Sequence, residues 1–235
     1  PEDEKKALTH YAYHIKAGKE IFAAEGAFGQ YLICFRDYPV AIGITAGASE
    51  YLAADICLKY IKEAVQIPCE KENLEEAQEK LEEKLVHLTL PKPEGDKKDT
   101  NEATKKLLNK RIAFTENPRQ IESAVISTVG EELKLELTVA GEKKILFAGY
   151  KDWKCNDMYP NDFTKRYHAV SYAFDEDALY LSVGLLNTSY REEYCLWVNS
   201  ENVVVGTWRP NVTYLPAEED MTWKFTGTFE PSCIL

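Results

Sequence analysis

No run of apolar residues in this chain approaches the ~20 that a membrane-crossing helix needs, so no helical span is expected. The six cysteines (Cys34, Cys57, Cys69, Cys155, Cys195 and Cys233) include no C-x-x-C pair and follow no regular spacing. That pattern argues against a zinc site or a disulfide framework. It suits thiols in a reducing compartment, so a cytoplasmic setting is expected rather than a secreted one. The first residues, Pro1-Glu2-Asp3-Glu4-Lys5-Lys6, are polar and acidic, with no apolar stretch of the kind a secretory signal carries. A chain opening on proline is expected to continue upstream in its parent. Basic charge is also short: 28 Lys and Arg against 39 Asp and Glu leave a net charge of -11. Such a surface repels polyanions, which disfavours nucleic acid and anionic membranes as partners. His14, His87 and His168 are far apart in sequence and read as surface or satisfied histidines. Asp152, Asp157, Asp162 and the Asp175-Glu176-Asp177 cluster fit no EF-hand loop. No metal and no cofactor is expected.

What the chain does have is 235 residues, 45% of them apolar, enough for two domains of ordinary size. The first part reads as an antiparallel meander, with strands expected at 11–15, 20–24, 29–35 and 40–45; a glycine-rich bend separates the second and third, and Tyr38-Pro39 marks the turn before the fourth. Ser49 offers a capping oxygen and Glu50 a first-turn charge for a helix over 50–65, whose stripe of Leu52, Ile56 and Tyr60 with Ala53, Cys57 and Ile61 should face the sheet. A second helix is expected within 70–87, where Leu74, Ala77, Leu81 and Leu85 make only a narrow seam. The stretch 91–99 mixes proline, glycine and charge without periodicity and reads as an exposed linker.

Beyond Lys110 the period changes to two. Leu133, Leu135, Leu137 and Val139 alternate with polar residues before a turn at Ala140-Gly141-Glu142, and Leu179, Leu181, Val183 and Leu185 repeat the pattern. Further strands are expected at 194–198, 203–207 and 223–228, which together imply an antiparallel sandwich or barrel. Tyr150, Trp153, Tyr194, Trp197, Trp208 and Trp223 could form a glycan or lipid platform, yet each also buries ~150–250 Å² in an ordinary core, and core is the expectation.

The run Phe22-Ala23-Ala24-Glu25-Gly26-Ala27-Phe28-Gly29-Gln30-Tyr31-Leu32-Ile33-Cys34, followed by Val40-Ala41-Ile42-Gly43-Ile44-Thr45-Ala46-Gly47 and an amphipathic helix, resembles the closing strands and last helix of serine hydrolases of the β-lactamase and penicillin-binding-protein superfamily. It is particularly similar to the bacterial esterase and amide-hydrolase branch with a G-x-x-G-Q element. The resemblance implies a serine of S-x-x-K attacking an acyl carbon, a tyrosine or lysine assisting proton transfer, and a cleft-lining strand that bears K-T-G. It makes Glu25, Gly26, Ala27, Phe28, Gly29 and Gln30 the substrate-cleft candidates, since small residues let backbone approach an acyl group and offer N–H groups to a developing oxyanion. The chain departs from the family pattern, however. It contains neither S-x-x-K nor K-T-G, and its nearest Y-x-N match, Tyr159-Pro160-Asn161, lies after the linker and reads as a turn. No catalytic residue is therefore expected in this chain. Gly149-Tyr150-Lys151-Asp152-Trp153 and the strands of 170–212 resemble the β domain appended to some of these hydrolases.

The resulting expectation is an α+β fold. Residues 1–68 form the antiparallel strands and C-terminal helix of a β-lactamase-like domain, residues 69–109 an acidic helix and linker, and residues 110–235 an all-β antiparallel barrel or sandwich acting as an accessory domain. The expected partners are the missing N-terminal half of the hydrolase, an ester, amide or peptide-like substrate in the parent, and a second copy paired through an exposed sheet edge. The rival expectation is a non-enzymatic binding module whose β domain holds a peptide, glycan or lipid.

Overall fold

The computed structural model describes residues 8, 10–48, 53–66, 74–101, 104–156, 167–213 and 221–230. The chain divides into two compact units, Pro1–Pro91 and Lys92–Leu235.

In the first unit, β1 (His10–Ala12), β2 (Ile15–Ala17), β3 (Ile21–Gly26), β4 (Gln30–Phe35) and β5 (Ala41–Ile44) form one sheet in sequence order, antiparallel throughout. The single strand expected at 11–15 is instead a hairpin. Tyr13 and His14 both take positive φ, 52° and 62°, which is the backbone of a tight turn matched to strand twist. That turn is normally announced by Asn-Gly or Asp-Gly, and Tyr-His carries no such signal. Alternation along β3 and β4 sends Ile21, Ala23, Tyr31, Ile33 and Phe35 to one buried face. Helix α1 (Ala53–Gln66) lays Cys57, Leu58 and Ile61 against that face, while Ile56 and Tyr60 stay exposed. The contact stripe is therefore turned toward Leu58 from the one expected, and the proposed cap Ser49 lies outside the described residues. The opposite sheet face exposes Phe22 and Leu32. Helix α2 (Leu74–Val86) has no buried residue, as its sparse apolar seam suggests.

The second unit begins with a segment fastened to the strands that follow. Lys97 pairs with Phe174 as a bridge, its N–H donating to Phe174 O at 2.9 Å, and the Tyr150 hydroxyl donates to Asp96 O at 2.8 Å. A 3-10 turn, Thr104–Leu107, sinks Thr104 and Leu107 out of solvent. The expected exposed linker thus gives way at its second half to structure that belongs to the β unit.

The strands are β6 (Arg111–Phe114), β7 (Ile121–Val129), β8 (Glu132–Val139), β9 (Glu142–Tyr150), β10 (Lys154–Asn156), β11 (His168–Phe174), β12 (Ala178–Leu185), β13 (Arg191–Val198), β14 (Val204–Pro210) and β15 (Trp223–Phe229). Their order runs β11-β12-β13-β14-β15-β6-β7-β8-β9, and β9 returns to pair in parallel with β11 through Ser171↔Gly149 and Tyr172↔Tyr150. This closes a nine-stranded barrel, with β10 pairing antiparallel to the start of β11. Asn156 seals the neighbouring seam. The Phe147 N–H donates to its Oδ1 at 2.6 Å, and its Nδ2 donates to Phe147 O at 3.0 Å, so a side-chain amide replaces ladder partners. The core comprises the inward residues of these strands together with Leu107. At Gly206 the Phe225 ring occupies the place of a side chain, since a Cβ there would lie 2.4 Å from its nearest carbons.

The α+β expectation is thereby corrected. The protein is mostly β, with a closed barrel in one unit and a separate five-stranded sheet in the other. The two α-helices among the described residues build no layer of their own, because α2 buries nothing and α1 contributes one narrow contact face. Between barrel and sandwich, the parallel β9–β11 pair decides for the barrel.

Candidate functional site

Two places concentrate polar groups within organised structure. The first is the bend between β3 and β4. Gly26 and Gln30 form its last ladder pair, leaving Ala27, Phe28 and Gly29 to turn the chain. Phe28 and Gly29 both take positive φ, 62° and 84°. At Gly29 a side chain would meet strain as well as the Ala46 methyl at 3.2 Å, so glycine is the residue this corner accepts. The segment after β5 braces the bend from outside: the Ala48 N–H donates to Phe28 O at 3.1 Å, and Gln30 Nε2 donates to Ala46 O. Glu25 is ion-paired with Lys16 and accepts a hydrogen bond from the Tyr31 hydroxyl at 2.9 Å.

The sequence-predicted cleft residues are therefore brought together in one braced turn. Glu25 within it is a satisfied carboxylate. Tyr159, Pro160 and Asn161, with Asp157 and Asp162, fall outside the described residues. Asp152 and the Asp175-Glu176 corner instead serve turns, with Asp152 Oδ1 accepting from Trp153 N–H and Asp175 Oδ1 from Glu176 N–H.

The second place is the barrel interior. Alternation directs Ala124 and Ile126 of β7, Leu135 and Leu137 of β8, Leu181 and Val183 of β12, and Leu196 of β13 into a cavity of about 120 Å³. Two residues N-terminal to Tyr194 on the same strand face stands Glu192, a carboxylate at an inward position, its side chain 8% exposed. Arg119 pairs with it from the β6–β7 loop, Nη2 to Oε1 at 3.1 Å, and the Tyr194 hydroxyl donates to Oε2 at 2.7 Å. The loop holds its shape through Asn117, whose Oδ1 accepts from Ile121 N–H at 3.1 Å while Nδ2 donates to Ile121 O at 2.8 Å. The Arg119 guanidinium carbon lies 5.9 Å from the Trp208 ring centre, and Trp208 packs on Trp223 at 4.7 Å.

The electrostatics follow from this packing. Burial works against the Arg119 cation, but the Glu192 charge, with help from Tyr194, outweighs it and the guanidinium holds its proton more firmly than usual. Burial, and then the adjacent Glu192 charge, push the Tyr194 phenol well above its ordinary range. The trio is thus a fixed, neutral-sum polar cluster at the wall of an apolar space.

Sequence reasoning missed this cluster. Its signal was Glu192 sharing the phase of Tyr194 and Leu196, an acid on the inward side of an apolar alternation; nothing local connects it to Arg119 in a distant loop. Among the described residues, no three His, Cys, Asp or Glu side chains assemble as a metal-binding group. No protein-family model matches the chain, and no curated protein matches it.

Proposed function

We propose that this chain is the C-terminal part of a serine hydrolase of the β-lactamase and penicillin-binding-protein superfamily, one that cleaves an ester, amide or β-lactam bond. The nucleophile belongs to sequence outside residues 1–235. In such a reaction the serine oxygen adds to the acyl carbon, the leaving group departs with a proton, and water releases the acyl group from the enzyme. Residues 25–30 contribute one wall of the cleft: Gly26 and Ala27 keep side-chain bulk away from the substrate, and Gly29 with the Gln30–Ala46 bond sets the corner.

The observation that carries this reading is that, among the described residues, one face of the small sheet is covered and the other keeps apolar side chains exposed. α1 covers the side of Ile21, Ile33 and Phe35, whereas Phe22 and Leu32 of the same two strands stay exposed on the other. Exposed apolar side chains on adjacent strands of a small sheet suit a surface that another part of a larger domain covers. The barrel is the accessory domain in this reading. Its cavity of about 120 Å³ falls below the ~300–1,000 Å³ of ordinary ligand sites. The interior is therefore small for a peptide, glycan or lipid, whereas a more open pocket of about 710 Å³ along Phe114, Asn117, Gln120 and Ala140 has the size the rival reading needs.

The test is hydrolysis by the protein expressed with the upstream sequence of its own gene, using p-nitrophenyl butyrate and a chromogenic cephalosporin. The expected result is turnover of at least one of them, lost when the serine of an upstream S-x-x-K is changed to alanine. Absence of such a motif upstream, or turnover no greater than that of residues 1–235 alone, would overturn the proposal.

A further inference from the structure

The polar cluster at the barrel wall leaves two hydrogen-bond donors idle. Arg119 spends Nη2 on Glu192, yet its Nε–H is buried with no acceptor. The Trp208 indole N–H is likewise buried without one, on a side chain 5% exposed and 5.9 Å from the guanidinium. Buried donors are almost always paired, and an orphan beside an open space marks where an acceptor atom is due. Arg119 lines that space together with Lys144, His168 and Glu192, and the rest of the wall is mostly apolar.

Charge narrows the acceptor's chemistry. Glu192 already neutralises Arg119, and an anion accepting from Arg119 would sit against the Glu192 carboxylate, itself 8% exposed, although Lys144 and His168 also line the space. A neutral oxygen takes the N–H without that repulsion. Size narrows it further, since about 120 Å³ is a little less than the apolar cavity of about 150 Å³ that holds benzene. We propose that the barrel binds a small uncharged carbonyl compound of roughly six or seven heavy atoms, its hydrocarbon part against Leu135, Leu181 and Val183 and its oxygen accepting from Arg119 Nε–H. This site is independent of the hydrolase reading.

The test titrates cyclohexanone, its hydrocarbon isostere methylenecyclohexane, and cyclohexanecarboxylate into the chain. Methyl NMR shifts of Leu135, Leu181 and Val183 report binding, and the Trp208 indole N–H serves as a second probe. The expected result is saturable binding of cyclohexanone, roughly threefold or more tighter than the hydrocarbon, as one added hydrogen bond implies, with the carboxylate weakest of the three. Arg119→Lys keeps the charge and removes the Nε–H, so cyclohexanone should fall to the level of the hydrocarbon. Ala124→Leu fills the cavity and should abolish binding with the melting temperature kept; Leu137→Phe serves the same purpose if that variant does not fold. No saturable shift with any probe, a hydrocarbon or carboxylate that binds as well as the ketone, an unchanged preference in Arg119→Lys, or binding that survives a folded cavity-filling variant would each overturn the proposal.

Discussion

Gly206 and Cys195 show how far single side chains are fixed by the barrel. The Phe225 ring takes the space a methyl at 206 would need, 2.4 Å away, and a ring held against Phe114 at 5.3 Å has little freedom to retreat. Gly206→Ala is expected to cost about 1–3 kcal/mol, measured by urea unfolding of the chain. Cys195 sits on the outward phase of β13, and burial raises its thiol to about 11 from an ordinary 9.0, with the Tyr180 hydrogen bond opposing and Glu94 adding. Its folded pKa lies above the unfolded one, so its contribution is complete below pH 9.0 and is lost as pH climbs toward 11. Cys195→Ala should make the fall in stability across that window shallower, by up to about 2 kcal/mol after allowance for its partial exposure. Denaturation midpoints taken at several alkaline pH values would show it, and unchanged steepness would count against it. At this scale the sequence revealed only that a strand runs over 194–198. It could not reveal that Glu192 meets Arg119, because that pair is a product of barrel closure.

Elements were legible where their signals are local. β8 and β12 follow the alternation of Leu133 to Val139 and Leu179 to Leu185, and the turn at Ala140 and Gly141 takes the positive φ values, 50° and 79°, that its residues suggest. β7 was missed; Glu122-Ser123-Ala124 breaks the pattern, and a register shift falls between Ile121 and Ser123. The orientation of α1 was misjudged because Leu58 lies beside the Cys57 row and either edge of a wide stripe satisfies the same periodicity. The contacts separate the two. Leu58→Ala should destabilise the small sheet by about 1–2 kcal/mol, the lower end for a partly buried leucine, whereas Ile56→Ser should change it by under about 0.5 kcal/mol. Hydrogen exchange at the amides of Ile33 and Phe35 is the readout, and equal effects would refute the observed helix orientation.

For the whole molecule, closure itself was beyond the sequence, since barrel and sandwich share the same strands and differ only in whether β9 and β11 pair. The unit boundary after Pro91 sits inside the stretch marked by its composition, but the fastening of Asp96 and Lys97 to the β unit depends on residues some 50 to 80 positions away. No helix among the described residues is long and apolar enough to cross a membrane. The exposed Phe22 and Leu32 and the sheet edges at β1 and β5 predict that the isolated chain self-associates. Light scattering should show mass rising with concentration and Leu32→Lys should suppress the rise; a monomer at every concentration would remove the sheet face as an association surface.

If the braced bend forms one wall of an acyl-transfer cleft, as proposed, covalent labelling of the nucleophile reports it most directly. The protein expressed with its upstream sequence should react with a fluorophosphonate at a serine three residues before a lysine, and Ala27→Leu should slow that labelling by roughly tenfold without lowering the melting temperature. An upstream-extended protein that takes no label, or one labelled at the same rate whatever stands at position 27, would contradict it.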